Sequence, residues 1–138
     1  ELAGEALRTL GVAARELPRD AVPPEESPED VEHELAFLGL IGMIDPRIEG
    51  PKVGVGYVAA RTHWGKGYMP ETTRVIIAWA FQQPSIYRVY ATTDVENIAS
   101  RRVLEKVGMQ CEGVLRKYII HPNISDVPRD SYMYAITK

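Results

Sequence analysis

The chain has 138 residues, of which 45% are hydrophobic, and 16 Lys and Arg against 19 Asp and Glu give a formal net charge of −3. This length and composition predict one globular domain with a genuine core. No apolar run approaches the ~20 residues of a membrane span, no charged-then-apolar leader opens the sequence, and there is no dense basic run interleaved with aromatics. We therefore expect a soluble, cytoplasmic protein that binds neither membranes nor nucleic acid.

The charge is unevenly distributed along the chain. Residues 1–34 carry three Arg against ten Asp and Glu, whereas residues 35–138 carry thirteen Lys and Arg against nine acidic residues. The larger part is therefore mildly basic, which would suit a ligand with several phosphates. An ordinary solvated surface explains the same charge.

The sequence contains a single cysteine, Cys111. This count excludes an intramolecular disulfide and a cysteine zinc site, and we predict no bound metal. We expect Cys111 to pack as a small hydrophobic residue.

The acidic N-terminal segment, residues 1–34, is predicted to be a short helix followed by a loop. Apolar residues recur at near-helical spacing, at Leu2, Ala6, Leu10, Ala13 and Leu17. This spacing predicts an amphipathic helix, which Gly11 weakens. Proline and acidic residues are concentrated over residues 18–32, which predicts an exposed loop with one helical turn near residues 28–33. No convincing first strand is visible in this segment.

Two strands are predicted next. The runs LAFLGLIGMID, from Leu35, and KVGVGYVAA, from Lys52, are β-compatible, and Asp45-Pro46 turns the chain between them. Together they predict an antiparallel pair.

The second strand leads into a glycine-containing turn and then directly into a helix. A helix N-terminus carries unpaired N–H groups and partial positive charge, so it favours an anion. Gly65 and Gly67 allow positive φ and close backbone approach. The turn is therefore a candidate phosphate site, although GKG matches neither the phosphate loop nor GxGxxG. A purely structural tight turn would also explain the glycines.

The helix after the turn is predicted over residues 68–82, because Pro70 suits a first turn and Pro84 ends the pattern. The face expected to pack on the sheet consists of Thr72, Val75, Ile76 and Trp79. The following run IYRVYATTD is predicted to be a strand. A helix between two such strands indicates a parallel crossover in a mixed sheet, and hence an α/β fold.

A second helix is predicted from a cap at Asn97 or Asp94 to Val107, with Gly108 as its stop. Its buried face is predicted to contain Ser100, Val103, Leu104 and Val107. The runs CEGVLRKYII and SYMYAIT then predict two antiparallel strands that close the sheet, joined by a long loop that suits a substrate lip. In that loop, Arg129 and Asp130 are expected to pair with each other or to anchor the loop. We expect the last strand to be exposed and able to pair across a homodimer.

Two stretches, VGYVAARTHWGKGYMPE and DVENIASRRVLEKVGM, resemble the two acetyl-coenzyme A binding motifs of the GCN5-related N-acetyltransferase (GNAT) superfamily, RimJ/RimL-like branch. The resemblance runs from about Leu35 to the C-terminus. It implies the GNAT fold with an abbreviated N-terminal part, and acetyl-CoA as co-substrate without a metal. It also implies direct acetyl transfer to a primary amine, either a protein N-terminus or a small molecule.

The resemblance also implies a coenzyme site. The pantetheine arm would lie along a strand that splays from its neighbour, and the phosphates would lie at the turn. The implied coenzyme-binding residues are Val58, Ala59, Ala60, His63, Trp64, Gly65, Lys66, Gly67, Tyr68, Asn97, Ser100, Arg101 and Arg102.

Catalytic roles follow less directly, because the chain departs from the family pattern at two positions. Gly54 stands where RimJ/RimL-like enzymes often carry glutamate, and Leu104 stands where many GNAT enzymes carry a general-acid tyrosine. Ser100 is the usual substitute for that tyrosine and would lie near the thioester sulfur. The catalytic candidates are Ser100, His63 and Tyr118, and further candidates for the base are His121, Tyr132 and Tyr134.

Two alternatives belong to other functional classes. One is a non-catalytic, regulatory acetyl-CoA-binding module, which Gly54 and the short N-terminal part favour. The other is a binding domain for a different phosphorylated ligand held at the glycine turn.

Overall fold

The computed structural model describes residues 7–14, 36–44, 50–121 and 124–138. Within them the elements are β1 (Leu7–Ala14), β2 (Ala36–Ile44), β3 (Lys52–Ala59), a 3-10 turn (Arg61–His63), α1 (Tyr68–Gln82), β4 (Arg88–Asp94), α2 (Ile98–Lys106), β5 (Gln110–Ile119) and β6 (Arg129–Thr137). The strands form one sheet in the order β1-β2-β3-β4-β6-β5. The predicted loop over residues 18–32, with its helical turn, and the Asp45-Pro46 turn lie outside the described residues. No helix in the described ranges combines the length and apolar character needed to cross a bilayer.

The N-terminal element β1 is a strand where the sequence predicted a helix. It pairs antiparallel with β2, from Leu7 opposite Ile44 to Ala14 opposite Ala36. Helix propensity is a weak preference that a strand edge can override, because pairing satisfies the backbone groups of the whole segment. The predicted helix, and the expectation that no first strand exists here, are therefore wrong.

The centre of the sheet agrees with the prediction. β2 and β3 are antiparallel, and β3 and β4 are parallel, with α1 in the connection between them. The parallel ladder is short, since it joins only residues 52–54 to residues 88–90. The mixed sheet of the α/β fold is confirmed, and β3 leaves β4 after Gly54.

Helix α1 has the predicted bounds but a different buried face. Its buried residues are Met69, Thr73, Ile76, Ile77 and Ala80. Of the predicted face only Ile76 is buried, while Val75 is 63% exposed and Trp79 is 43% exposed. The Thr73 hydroxyl donates to the Met69 carbonyl at 2.7 Å. This bond satisfies a polar group in the core, so the helix can turn by about one residue from the face that hydropathy predicts.

The two C-terminal strands pair antiparallel, as predicted. However, β6 lies between β4 and β5, and β5 is the edge. The prediction that the last strand is exposed and free to pair across a dimer is therefore wrong. Cys111 lies on β5 and is exposed, so its predicted packing in the core is also wrong. Both errors have one cause: the last strand, β6, inserts between β4 and β5. This leaves β5, which carries Cys111, at the exposed edge of the sheet.

Candidate functional site

The divergence of β3 from β4 opens a cavity of about 540 Å³. This volume lies within the usual range of small-molecule sites. Residues that line it include Tyr57, Trp64, Asp94, Glu96, Asn97, Ser100, His121 and Arg129. In the described part of the chain, β3 beyond Gly54 has no ladder to β4, so alternate backbone N–H and C=O groups of residues 55–58 face this gap. The cavity therefore offers a row of backbone hydrogen-bonding groups along one wall.

Tyr57 and Ser100 meet across this cavity. The Tyr57 hydroxyl lies 3.0 Å from the Ser100 Oγ and donates to the Ser100 carbonyl at 3.2 Å. Burial raises the pKa of Tyr57, an effect that the hydrogen bond with Ser100 partly offsets. Tyr57 is therefore a neutral hydroxyl at physiological pH. Its hydrogen bond orients the side chain of Ser100, which the sequence predicted to be catalytic.

The position of Ser100 also depends on the start of α2. Asn97 is the N-cap, and its Oδ1 accepts a hydrogen bond from the Ser100 N–H at 3.0 Å. This places Ser100 in the first helical turn, where it faces the cavity. The predicted cap at Asn97 is confirmed, and Gly108, the predicted stop, has φ of 89° and directly follows the C-cap Val107.

An ion cluster forms another wall of the cavity. The Arg129 guanidinium contacts the Asp94 carboxylate at 2.5 Å and Glu96 at 2.7 Å. The hydrogen bonds from Arg129 are the main reason that the pKa of Asp94 falls to about 2. Asp130 instead accepts from the Lys117 N–H at 2.8 Å, so the predicted Arg129–Asp130 pairing is absent from the described residues. Arg129 thus ties the start of β6 to the end of β4.

The glycine turn has the conformation that the sequence predicts. Gly65 and Gly67 have φ of 77° and 87°, and Gly67 is the N-cap of α1. The Trp64 indole N–H donates to the Ala59 carbonyl at 3.0 Å, which holds the turn against the end of β3. Within the described residues no side chain caps α1, so its first N–H groups remain available to an anion.

Comparison with known proteins identifies this arrangement. The family model of the acetyltransferase (GNAT) domain matches residues 21–110, more than half of the chain. The chain belongs to the GNAT acetyltransferase family. Among its relatives is the uncharacterized N-acetyltransferase YoaA of Bacillus subtilis, which is 31% identical over 102 residues, or 74% of this chain and 56% of YoaA. The chain spans about half the length of the curated relatives it matches.

Solved structures of GNAT proteins share the fold. An acetyltransferase of the GNAT family from Bacillus anthracis superposes with a TM-score of 0.67 at 31% identity, covering 78% of this chain and 62% of that one. Mycobacterium smegmatis RimJ, solved with CoA-disulfide, has a TM-score of 0.66 at 27% identity, covering 74% and 48% respectively. The resemblance to the RimJ/RimL-like branch is therefore confirmed.

The structure separates the predicted catalytic residues of this GNAT chain. Ser100 lines the cavity, whereas His63 and Tyr118 do not. His63 ends the short turn beside α1, with its ring 6.2 Å from the Tyr68 ring. Tyr118 is 50% exposed on the edge strand β5. The structure thus keeps one of the three predicted residues at the cavity.

The predicted coenzyme-binding residues form two groups. Residues 58–60 and 63–68 lie between the end of β3 and the start of α1, and of these Trp64 lines the cavity together with Asn97 and Ser100. The Arg101 guanidinium lies 4.7 Å from the centre of the Tyr132 ring, and Arg102 is exposed on the helix surface. Tyr134 is buried and donates to Glu105 at 2.9 Å, which is a structural contact.

Sequence reasoning missed Tyr57 and the Asp94–Arg129 pair. Tyr57 lies inside the first motif, on β3. The sequence pattern of a strand predicts which residues are buried, but it does not predict which distant side chain each of them contacts. Asp94 and Arg129 are separated by 35 positions in the chain. The sequence contained one indication of this pair: Asp94 ends a predicted strand, and polar residues at strand ends often line a functional site.

Proposed function

We propose that this chain is an acetyl-CoA-dependent N-acetyltransferase that transfers the acetyl group directly to a primary amine. The observation that carries the proposal is the cavity between β3 and β4, with the Tyr57–Ser100 pair inside it. Membership of the GNAT family supplies the reaction class. The acceptor is either a protein N-terminus or a small amine.

The shape of the site supports binding of two parts of the coenzyme, its pantetheine arm and its diphosphate. The backbone groups of residues 55–58 that face the gap suit the amide-containing pantetheine arm, which would add to β3 as a neighbouring strand does. The turn at Gly65 and Gly67, with the N-terminus of α1, suits the diphosphate. Bound acetyl-CoA would supply an activated thioester carbonyl next to Ser100.

Ser100 is the residue that would return a proton to the departing thiolate. Asn97 fixes its backbone and Tyr57 fixes its hydroxyl, so the Oγ is held in one orientation. Because burial keeps Tyr57 protonated, Tyr57 remains a hydrogen-bonding partner and does not become a competing anion. Much of the remaining rate enhancement would come from holding amine and thioester together.

A thermal-shift titration with acetyl-CoA, coenzyme A and ATP tests the binding step. A ligand that binds only the folded state raises the melting temperature, so we expect clear shifts with both coenzyme forms and none with ATP. A shift with ATP alone would favour a site for another phosphorylated ligand, and no shift at all would contradict the coenzyme site.

Turnover is tested on a panel of primary amines that contains peptides with free N-termini, polyamines and amino acids. Product should be followed by mass spectrometry, because the exposed Cys111 thiol reacts with thiol-detecting reagents. Acetylation of at least one amine is expected. Tight coenzyme binding without turnover across the panel would favour a non-catalytic module.

A further inference from the structure

A histidine outside the coenzyme-binding stretch faces the same cavity as Ser100. His121 follows β5 and lines the cavity together with Tyr57 and Ser100. Its Nε2 is buried and has no hydrogen-bond partner among the described residues. Buried polar atoms are nearly always paired, so an unpaired one that borders a cavity indicates a group that pairs with a ligand.

The backbone of His121 is fixed by the loop that carries it. Its carbonyl accepts hydrogen bonds from the N–H groups of Ile124 and Ser125, at 2.8 Å and 2.9 Å. These two bonds fix the main-chain carbonyl of the residue whose side chain lines the cavity.

The charges that face His121 favour an incoming ammonium group. Asp94 ends β4 and interacts electrostatically with His121, Glu96 lies in the link to α2, and Arg129 starts β6. Arg129 pairs with both carboxylates, which leaves the cluster with one net negative charge. Tyr57, on the β3 side of the cavity, is a further titratable group among the described lining residues, and its pKa is raised by burial. The positive charge of an amine acceptor is therefore attracted to the end of the cavity where His121 lies.

We propose that the Nε2 of His121 is the general base that takes a proton from the acceptor amine. This inference rests on the proposed acetyltransferase function. A neutral imidazole nitrogen carries a free electron pair and can accept a proton from an ammonium group.

The proton balance of the step is complete. One proton of the ammonium group passes to Nε2 and then to solvent, which leaves a neutral amine with a free electron pair. The bond between the amine nitrogen and the acetyl carbon forms, and the bond between that carbon and sulfur breaks. The second amine proton passes to the Ser100 Oγ as the Ser100 hydroxyl gives its own proton to sulfur, so the coenzyme leaves as a thiol and Ser100 is regenerated.

The test compares His121→Gln with the wild type over pH 6–10, using acetyl-CoA and the panel amine with the highest kcat/KM. Glutamine keeps polarity and approximate size but accepts no proton at these pH values. At pH 7 we expect kcat/KM to fall about 100-fold, with the acetyl-CoA thermal shift unchanged. The deficit should shrink as the pH approaches the pKa of the amine itself, near about 10 for an alkylammonium, because the amine is then neutral without a base.

The matched control is Asp126→Asn, which removes an exposed carboxylate from the same loop and should behave as the wild type. If His121→Gln destabilises the protein, His121→Asn is the second variant. A kcat/KM within about twofold of wild type, or a deficit that is the same at every pH, would overturn the role of His121 while acetyl transfer stands. An inactive wild type would overturn the proposed function and the role of His121 with it.

Discussion

The hydroxyl of Tyr57 lies 3.0 Å from the Oγ of Ser100, so β3 and the first turn of α2 are joined across the cavity. The two residues are 43 positions apart, and each is held by its own element. The bond therefore links the strand that would bind the pantetheine arm to the helix that carries the proposed proton donor. A displacement of either element would therefore change the position of the Ser100 hydroxyl.

Replacing Tyr57 with Phe removes this bond and keeps the ring. We expect kcat to fall about 5-fold, which corresponds to the loss of one hydrogen bond worth about 1 kcal/mol, while the dissociation constant for acetyl-CoA changes little. Steady-state kinetics and a thermal-shift titration measure the two quantities. Tyr87→Phe is the control, because Tyr87 is 58% exposed and outside the cavity. An unchanged kcat in Tyr57→Phe would show that the contact does not orient Ser100.

The Asp94–Arg129 pair makes stability depend on pH at the acid end. The pKa of Asp94 is lowered from 3.8 to about 2, chiefly by hydrogen bonds from Arg129. A lowered folded-state pKa stabilises the protein at every pH above the unfolded value near 3.8, and this contribution is lost as the pH falls towards 2. Asp94→Asn should therefore lower the free energy of unfolding by on the order of 1–2 kcal/mol at pH 7, and by much less at pH 2.5.

Urea unfolding at pH 7, 4 and 2.5 measures this dependence. Glu112→Gln is the control, because the Arg88–Glu112 ion pair is exposed and should contribute much less. A loss in Asp94→Asn that is equal at all three pH values would mean that the carboxylate stabilises the fold by packing and not by its charge.

The local elements of this fold were largely predictable from the sequence. The bounds of α1, its glycine turn and the cap at Asn97 follow from local rules, since Gly, Pro and Asn favour particular backbone conformations. β1 was not predictable in this way, because its Ala and Leu residues favour a helix and only the edge of β2 makes it a strand.

Long-range contacts account for the rest. The exposed Val75 and the buried Thr73 are explained by a hydrogen bond inside α1 and by packing against the sheet, neither of which hydropathy counts include. Tyr57 reaches Ser100 only because β3 leaves β4 after Gly54, and that divergence is a property of the sheet. The motifs thus predicted a coenzyme site, and the structure was needed to find which side chains line the cavity.

Asn97 can be tested separately as a helix cap and as a coenzyme contact. Asn97→Ala removes the Oδ1 that accepts from Ser100, and we expect a loss of about 1 kcal/mol in the free energy of unfolding together with a lower kcat. Asn97→Asp keeps a capping oxygen but loses the amide N–H donor, so it should keep its stability and raise the acetyl-CoA dissociation constant. Chemical denaturation and ligand titration of both variants separate the roles. If Asn97→Asp binds acetyl-CoA as tightly as wild type, Asn97 acts only as a cap.

The glycine turn offers a comparison in which backbone strain is matched. Gly67 and Gly50 have φ of 87° and 75°, and a Cβ at either position would meet no described atom within 4 Å. Alanine should therefore cost each position about 1 kcal/mol of stability through strain alone. Gly67→Ala should also raise the acetyl-CoA dissociation constant several-fold, because its Cβ occupies the approach to the N-terminus of α1, whereas Gly50→Ala should not. Calorimetric titration of both variants decides the matter, and equal dissociation constants would make the turn a structural device without a part in binding.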